Sequence, residues 1–361
     1  MAEYLLGKTL TELQQVALAV GLPKFAGKQL AEWLYVRRVK SFDEMTNISL
    51  KGREALRQNY IIGRSGPVRE AISQDGTRKY LFPIYQSEGR SNSEAGRFIE
   101  AVYIPDDDRA TLCVSTQAGC KMGCRFCMTG TLGFHANLTA ADILNQVFEI
   151  DQRLTTIGQR PLSNLVLMGE GEPMDNLDNV LRALDILTAS YGCAWSPKRI
   201  TVSTVGVPTM KRFLDESECH LAVSLHNPFG VERAQIMPAE KLYHATEVLD
   251  LLHQYDWSHQ RRISFEYICW AGVNDTPKHA RELVRLLHGL NCRVNLIRFH
   301  EGVEKVAHTA LDERHFPASD EKQMEWLRDY LTQQGITTTI RRSRGEDILA
   351  ACGMLVAQST L

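Results

Sequence analysis

The chain has 361 residues, of which 44% are apolar and 23% charged, and its net charge at pH 7 is −2. This composition is typical of a soluble globular protein of one or two domains. No apolar run approaches the roughly 20 residues of a membrane helix, and residues 1–4 do not resemble the start of a secretory signal. Nine cysteines in such a chain predict a reducing compartment, the cytoplasm, where thiols serve metals or catalysis.

The N-terminal region differs from the rest of the chain in charge. Residues 1–90 carry 14 Lys and Arg against 9 Asp and Glu, whereas residues 91–361 carry 27 against 34. A basic region on an acidic body is typical of a protein in which one module holds phosphates, although chance could produce the same imbalance. Apolar residues at helical spacing predict helices over 10–18 and 29–36. Residues 1–64 are therefore predicted to form a small, basic helical domain.

The next region reads as β structure. Strand-like runs cover residues 79–85 and 97–104. The Ser-, Gly- and Glu-rich segment 86–96 between them is predicted to be a flexible loop. Residues 65–109 are therefore interpreted as a short β extension that leads into the main domain.

Strands and helices alternate from residue 110 onward. Helix starts are indicated by a capping box at Thr139 and by an N-cap followed by proline at Thr276-Pro277. Six consecutive strand–helix units predict a parallel sheet over 110–345, either doubly wound or a partial barrel, followed by a C-terminal tail, 346–361. In a barrel the chemistry lies at the carboxyl ends of the strands. The predicted strands, short and rich in β-branched residues, are 111–116, 163–169, 199–205, 220–226, 262–269 and 292–299.

A cysteine motif follows the first of these strands. Cys120, Cys124 and Cys127 have the spacing C-x₃-C-x₂-C, which brings three thiols into one tight loop. A structural zinc ion takes four protein ligands, and the motif itself contains no fourth Cys or His. A 4Fe–4S cluster on three cysteines keeps one iron open for another ligand. The motif therefore favours an iron–sulfur cluster over zinc or coincidence.

Further candidate ligands follow other predicted strands. Gly171 and Glu172 belong to Met-Gly-Glu-Gly-Glu-Pro, where glycine permits close backbone approach and a carboxylate can accept from an ammonium. A dinucleotide fingerprint fits poorly, because Met174 occupies the third glycine position. Each remaining polar residue could simply end a strand, but together they indicate a pocket at one barrel mouth. These residues are Ser203, Ser224, Leu225, His226 and His300.

Two cysteines lie apart from the cluster motif. Cys113 precedes it by a few residues, and Cys352 is followed by glycine near the C-terminus. Free cysteines are usually small buried apolar residues, and that interpretation fits the remaining four. A thiol in a C-terminal tail differs, because such a tail can fold back over a barrel mouth.

These segments together resemble the RlmN/Cfr family of radical S-adenosylmethionine (SAM) adenosine methyltransferases, and within it the RlmN branch. The resemblance covers essentially the whole chain, from Leu5-Leu-Gly-Lys through the cluster loop to Ala350-Ala-Cys-Gly-Met-Leu. It implies an α/β fold, a partial (β/α)6 barrel with a helical N-terminal domain and a β extension. It also implies a 4Fe–4S cluster on the three cysteines, with SAM on the open iron.

The resemblance further implies a role for each candidate residue. Cys352 would take a methyl group from one SAM, and a second SAM would supply the radical that activates this methyl group. Cys113 would release the product by forming a transient disulfide with Cys352, and Glu100 would accept a proton. The SAM contacts would be Gly171, Glu172, Ser203, Ser224, Leu225, His226 and His300.

The substrates and partners implied by the family are RNA and an electron donor. The family methylates carbon 2 of adenosine 2503 in 23S rRNA and of adenosine 37 in some tRNAs, and Cfr-type methylation of carbon 8 is the alternative. A non-catalytic zinc or RNA-binding protein is the second alternative. A flavodoxin or ferredoxin is the expected donor, no membrane is involved, and a monomer is expected. The cations expected to grip RNA are Lys24, Lys28, Arg37, Arg38 and Lys40.

The chain departs from the family pattern at two positions. Glu170 replaces the usual methionine beside the SAM segment, and His300 replaces an asparagine at the adenosyl contact. Neither change removes a cysteine of the implied mechanism, but Glu170 adds a carboxylate next to the expected SAM site.

Overall fold

The computed structural model describes residues 3–84, 98–258, 263–299 and 316–355. The loop predicted at 86–96 lies outside these ranges. Across the described residues, no helix is both long and apolar enough to cross a bilayer.

The N-terminal region consists of short helices, as predicted. Its first helix begins at a capping box in which the Thr9 hydroxyl accepts the Glu12 N–H and the Glu12 carboxylate accepts the Thr9 N–H. A two-stranded parallel pair joins the ends of the region. Its elements are β1 (Glu3–Tyr4), α1 (Leu10–Ala19), α2 (Ala26–Ala31) with a π-helical turn at Glu32–Val36, α3 (Leu50–Asn59) and β2 (Tyr60–Ile61).

The β extension is continuous with the main sheet. It comprises β3 (Arg69–Ile72), β4 (Arg78–Pro83) and β5 (Phe98–Pro105), and β5 pairs in antiparallel fashion with β6 (Ala110–Cys113). Lys79 is paired with Val102, and Val102 with Cys113. Directly paired residues project to the same face of a sheet, and so do residues two apart in a strand. Lys79, Glu100 and Cys113 therefore share one face.

The cysteine motif lies between the strands of a small hairpin. This hairpin is formed by β7 (Gln117–Gly119) and β8 (Phe134–Asn137). The short helix α4 (Met128–Thr131) follows Cys127 directly, so the three cysteines occupy the segment between β7 and α4.

The main domain adds parallel strands and their connecting helices. Helix α5 starts at the predicted capping box, where the Thr139 hydroxyl accepts the Asp142 N–H. The strands are β9 (Asn164–Leu167), β10 (Ile200–Thr204), β11 (His220–Ser224), β12 (Ile263–Cys269), β13 (Cys292–Arg298) and β14 (Thr337–Ile340). The helices are α5 (Ala140–Thr156), α6 (Leu177–Thr188), α7 (Met210–Glu216), α8 (Gly230–Ile236), α9 (Ala245–Gln254), α10 (Pro277–Leu287) and α11 (Glu321–Gln333).

The strand order decides between the two predicted architectures. In space the ten strands run β3-β4-β5-β6-β9-β10-β11-β12-β13-β14, and every pair from β6 onward is parallel. A doubly wound sheet reverses its order at a switch point, and this sheet has no reversal. Right-handed crossovers in one direction put the helices on one side of the sheet. The partial barrel and its six predicted strands are thus confirmed, and β14 is a further parallel strand that the sequence analysis did not predict.

Buried ion pairs attach the N-terminal region to α5. The Arg64 guanidinium lies 2.7 Å from the Glu149 carboxylate, and both side chains are buried. The half-buried Arg38 pairs with the buried Asp151, and the exposed Lys40 lies 2.8 Å from the Glu149 carboxylate. Two of the five cations expected to face RNA therefore pair instead with barrel carboxylates.

The C-terminal tail crosses from the β extension to the cysteine loop. The Asp347 carboxylate accepts the Ser73 hydroxyl at 2.5 Å and the Gln74 N–H at 3.2 Å, in the turn between β3 and β4. Further along, the Met128 N–H at the start of α4 donates to the Gly353 carbonyl at 2.7 Å. Cys352 is thus placed beside the cysteine motif.

Candidate active site

The predicted polar residues lie along one edge of the sheet. Ser203 is the next-to-last residue of β10, Ser224 is the last residue of β11, and Gly171 follows β9. Parallel strands present their carboxyl ends at the same edge, which brings these segments together. The Ser203 hydroxyl donates to the Leu167 carbonyl at 2.9 Å and so links β10 to β9.

The close backbone approach predicted at Gly171 is made to Gln117. Gly171 has φ +98°, and a Cβ there would lie 2.5 Å from the Gln117 Cβ. The Gln117 side-chain carbonyl also accepts the Glu172 N–H at 2.9 Å. Because only glycine fits this position, the segment after β9 is held against the strand that precedes the cysteine motif.

Glu172 is a buried carboxylate that joins two strand ends. Its oxygens accept the Met174 N–H at 3.1 Å and the Val205 N–H at 2.9 Å. Burial raises the pKa of Glu172 to about 7, although these hydrogen bonds act in the opposite direction. The carboxylate predicted to meet an ammonium therefore also organises the backbone of the β9 and β10 loops.

His226 is buried and neutral. Its Nδ1 accepts the Ile268 N–H at 3.1 Å, which leaves the proton of the neutral ring on Nε2. Burial, with a contribution from the nearby Arg233, lowers the pKa of His226 to about 3. The His226 ring lies edge-on to Phe126, between two cysteines of the motif, with centroids 4.8 Å apart.

Arg233 is a site residue that the sequence analysis missed. It is fully buried, and its guanidinium donates to the carbonyls of Leu225, Ser224 and Val205, each at 2.9 Å. It also pairs with the buried Glu240. Arg233 thus fixes the carboxyl ends of β10 and β11, but nothing in its local sequence distinguishes it from a solvated arginine.

The three cysteines of the motif interact with one another. Burial raises the pKa of Cys120 to about 12, and the negative charge of the Cys127 thiolate adds to this effect. Burial also raises the pKa of Cys124, and the charges of Cys127 and Cys120 contribute. Thiolates are the usual ligands of iron–sulfur clusters, and a bound cation reverses such shifts by favouring the thiolate. The donor set of the loop therefore fits a 4Fe–4S cluster.

The same loop does not present a single-ion site. Among the residues that the structure describes, no three His, Cys, Asp or Glu side chains are close enough to hold one metal ion. Zinc binds thiolates at about 2.3 Å and so brings its sulfurs close to each other. A cluster instead binds each cysteine through a different iron, so its cysteine sulfurs lie farther apart than those around a single ion.

Cys113 lies close enough to Cys352 for the charges of the two thiolates to interact. Cys113 is buried on β6 and packs in one apolar group with Ala350 and Leu355 of the tail. Burial raises the pKa of Cys113 to about 12, and the Cys352 thiolate is the next cause. Both thiols are free.

Cys352 lies beside the cysteine motif, next to the residue that bonds to the start of α4. Its surface is exposed, yet the surrounding protein still desolvates the sulfur and raises its pKa to about 11. The charges of Glu266 and Cys127, which lie near the thiol, also contribute. Cys352 is therefore reachable by a small molecule, but it needs help to ionise.

Glu100 is buried on the face of β5 that carries the tail. Its carboxylate lies 3.0 Å from the Lys79 ammonium, and its N–H donates to the Glu170 carboxylate at 2.8 Å. Glu170 is itself buried, and its carboxyl group has a pKa raised to about 8 by burial and by the charge of Glu100. Glu100 is therefore a buried carboxylate that is paired with a cation.

Glu266 is a second residue that the sequence analysis missed. It lies on β12, where its backbone carbonyl accepts the N–H groups of Leu225 and His226. Its carboxylate accepts the Asn295 amide N–H at 2.8 Å. The sequence did offer a sign of this role, because Glu266 is the one charged residue in the otherwise mostly apolar strand β12. His300, predicted to contact SAM, lies outside the described residues.

Comparison with known proteins agrees with this geometry. Residues 4–62 match the family described as "Ribosomal RNA large subunit methyltransferase N-terminal domain". The chain is 56% identical to "Probable dual-specificity RNA methyltransferase RlmN" of Phocaeicola vulgatus, over 97% of this chain and 94% of that protein. It is 41% identical to "Dual-specificity RNA methyltransferase RlmN" of Syntrophotalea carbinolica, over 98% and 89%.

A solved structure shares the whole fold. A radical SAM methyltransferase from Sphaerobacter thermophilus is 36% identical, matches 99% of this chain and 100% of its own, and has a TM-score of 0.86. Such similarity over the full length decides against a non-catalytic zinc protein. The chain therefore belongs to the RlmN family of radical SAM methyltransferases.

Proposed function

We propose that this protein methylates carbon 2 of an adenosine in 23S rRNA, at position 2503, and of adenosine 37 in tRNAs. The observation that carries the proposal is that Cys352, in the tail, lies near both Cys113 of β6 and Cys127 of the cysteine motif. The names of the relatives support the RNA class and the dual specificity.

The residues that would hold the cofactors follow from the site. Cys120, Cys124 and Cys127 would bind a 4Fe–4S cluster. SAM would lie against the strand ends that carry Gly171, Glu172, Ser203, Ser224, Leu225 and His226, with His300 as a further contact. When bound, the cluster and SAM supply the radical that removes a hydrogen atom from a methyl group on Cys352.

The chain's own residues would carry out the transfer. The Cys352 thiolate would attack the methyl group of one SAM, so that a carbon–sulfur bond forms on the protein, the methyl–sulfonium bond breaks and S-adenosylhomocysteine leaves with that electron pair. After this carbon has bonded to the adenine, the Cys113 thiolate attacks the Cys352 sulfur. A disulfide forms, the carbon–sulfur bond breaks, and its electron pair stays with the carbon, which becomes the methyl group by gaining a proton.

Glu100 would accept a proton from the adduct. It shares the face of Cys113, two residues along β5 from the residue paired with that cysteine. Because disulfide formation oxidises the two thiols, an external thiol reductant must restore them. A flavodoxin or ferredoxin would supply electrons to the cluster in the cytoplasm, and the protein would act as a monomer.

The basic N-terminal domain would hold the RNA. Lys24, Lys28 and Arg37 are exposed; Lys40 is also exposed but pairs with Glu149, and Arg38 pairs with Asp151. A base can reach Cys352 only when it is unstacked, which favours loops and bulges.

Nucleoside mass spectrometry tests this function. The reconstituted holoenzyme is incubated without oxygen with reductant, SAM and a 23S rRNA fragment, and the RNA is digested. We expect 2-methyladenosine with the natural protein and none with Cys352→Ala. Formation of 8-methyladenosine would support Cfr-type methylation instead, and SAM cleavage without either product would contradict the RNA assignment.

A further inference from the structure

Lys79 contacts both the candidate proton acceptor and the tail. Its ammonium lies 3.0 Å from the Glu100 carboxylate and donates to the Leu349 carbonyl at 3.3 Å. Leu349 is three residues before Cys352. The Lys79 side chain is only 10% exposed, and a buried ammonium is stable only when its hydrogen bonds are satisfied.

We propose that Lys79 is a positioning residue that holds Glu100 and the Cys352 tail in a fixed relation during the last steps of the reaction. This inference rests on the proposed function. Lys79, Glu100 and Cys113 share one face of the β4–β5–β6 sheet, so the ammonium acts at the place where product release would occur.

The tail depends on this contact for its path. On one side of Leu349, the tail is held by Asp347, which accepts the Ser73 hydroxyl in the β3–β4 turn. On the other side, just after Cys352, the Gly353 carbonyl accepts the Met128 N–H at the start of α4. Between these points Leu349 adopts φ +53°, a conformation that is costly for a leucine. The Lys79 hydrogen bond to its carbonyl supports the tail at that strained residue.

Lys79 also supplies positive charge to two carboxyl groups. Glu170 lies on the other side of Glu100, accepts its N–H, and is influenced by the charge of Lys79. Without the ammonium, the Glu100 carboxylate would lose its counterion in a buried setting and would move from its place.

The test separates the steps of turnover in the holoenzyme. Methylation of Cys352 is measured by the intact mass of the protein, radical cleavage of SAM by 5′-deoxyadenosine, and completion by 2-methyladenosine. For Lys79→Met we expect Cys352 methylation and deoxyadenosine formation to continue, while methyladenosine formed per deoxyadenosine falls about tenfold, the loss of one charged hydrogen bond. Lys79→Gln serves the same purpose if the methionine variant does not fold.

Two further variants distinguish positioning from folding. Lys79→Arg keeps the charge and donors, and we expect it to restore most of the ratio. Arg78→Met removes the neighbouring cation, which pairs with Glu70 at 2.8 Å, and we expect an unchanged ratio. An unchanged ratio in Lys79→Met, or an equal fall in Lys79→Arg or Arg78→Met, would overturn the role of Lys79. Absence of methyladenosine with the natural protein would instead overturn the proposed function.

Discussion

At the scale of single residues, Glu170 shows how a substitution in a family motif can acquire a structural role. Its carboxylate accepts the N–H groups of Glu100 and Gly119, and so it ties β5 to the strand before the cysteine motif. Methionine, the residue expected there from the resemblance, cannot accept these hydrogen bonds. Glu170 therefore links these two strands by hydrogen bonds, next to the segment that would bind SAM.

Glu170 should make stability depend on pH. Burial and the charge of Glu100 raise its pKa from 4.5 to about 8. Its stabilising contribution is therefore complete below pH 4.5 and is lost as the pH rises through 8. We expect Glu170→Gln, which keeps an oxygen acceptor, to gain unfolding free energy relative to the natural protein between pH 5 and pH 8. Urea unfolding of both proteins measures this, and a difference independent of pH would contradict it.

The limits of sequence reasoning are clearest for Lys79 and Glu100. Both lie in runs that predict strands correctly, but alternation alone cannot tell which face of an extension is covered. That face is buried because a tail more than two hundred residues later in the sequence folds over it. The cysteine motif, in contrast, can be recognised from the sequence because its three cysteines lie within eight consecutive residues.

At the scale of elements, the tail and the sheet face form the candidate site together. The tail is connected to the β3–β4 turn through Asp347, which holds Ser73 and Gln74, and to α4 through Thr129, whose hydroxyl donates to the Leu355 carbonyl at 2.8 Å. Cys352 lies between these two anchors, so its position depends on both.

Weakening the contact between Asp347 and the β3–β4 turn should reduce methyladenosine formation. Asp347→Ala removes the hydrogen bonds to Ser73 and Gln74, and we expect methyladenosine formation to fall about fivefold while the protein stays folded, because Cys352 is then held less firmly. The tail should also be cut faster by a protease. Asp329→Ala, which removes an exposed carboxylate of α11 paired with Arg328, is the matched control. Equal protease sensitivity of the two variants would contradict this account of the tail.

The elements were predicted unevenly. The six strands and the caps at Thr139 and Thr276 match the structure because apolar runs and capping residues are local signals. Strand β14 was missed because its sequence, Thr337 to Ile340, is mostly threonine and lacks an apolar run. Strand β14 is formed through its backbone pairing with β13, which the local sequence does not reveal.

At the scale of the whole molecule, the N-terminal domain is attached to the barrel by charge as well as by apolar packing. Arg64 and Glu149 are both buried, with Arg38 and Asp151 beside them. A basic domain held in this way keeps its exposed cations in a constant position relative to the barrel mouth.

Breaking this attachment should destabilise the protein. Arg64→Ala leaves the Glu149 carboxylate buried with only Lys40 to pair with it, and we expect a loss of about 3 kcal/mol in the free energy of unfolding. Lys24→Ala, at an exposed lysine of the same domain, should change stability by less than about 0.5 kcal/mol. Chemical denaturation followed by circular dichroism measures both, and equal effects would contradict the attachment.

The most direct test of the account is to look for the Cys113–Cys352 disulfide after turnover. The reduced holoenzyme is given SAM, an electron donor and RNA, but no thiol reductant, and is then digested without reduction for peptide mass spectrometry. We predict one Cys113–Cys352 disulfide for each methyladenosine formed. Methyladenosine without this disulfide would contradict the claim that the sheet face and the tail act as one site.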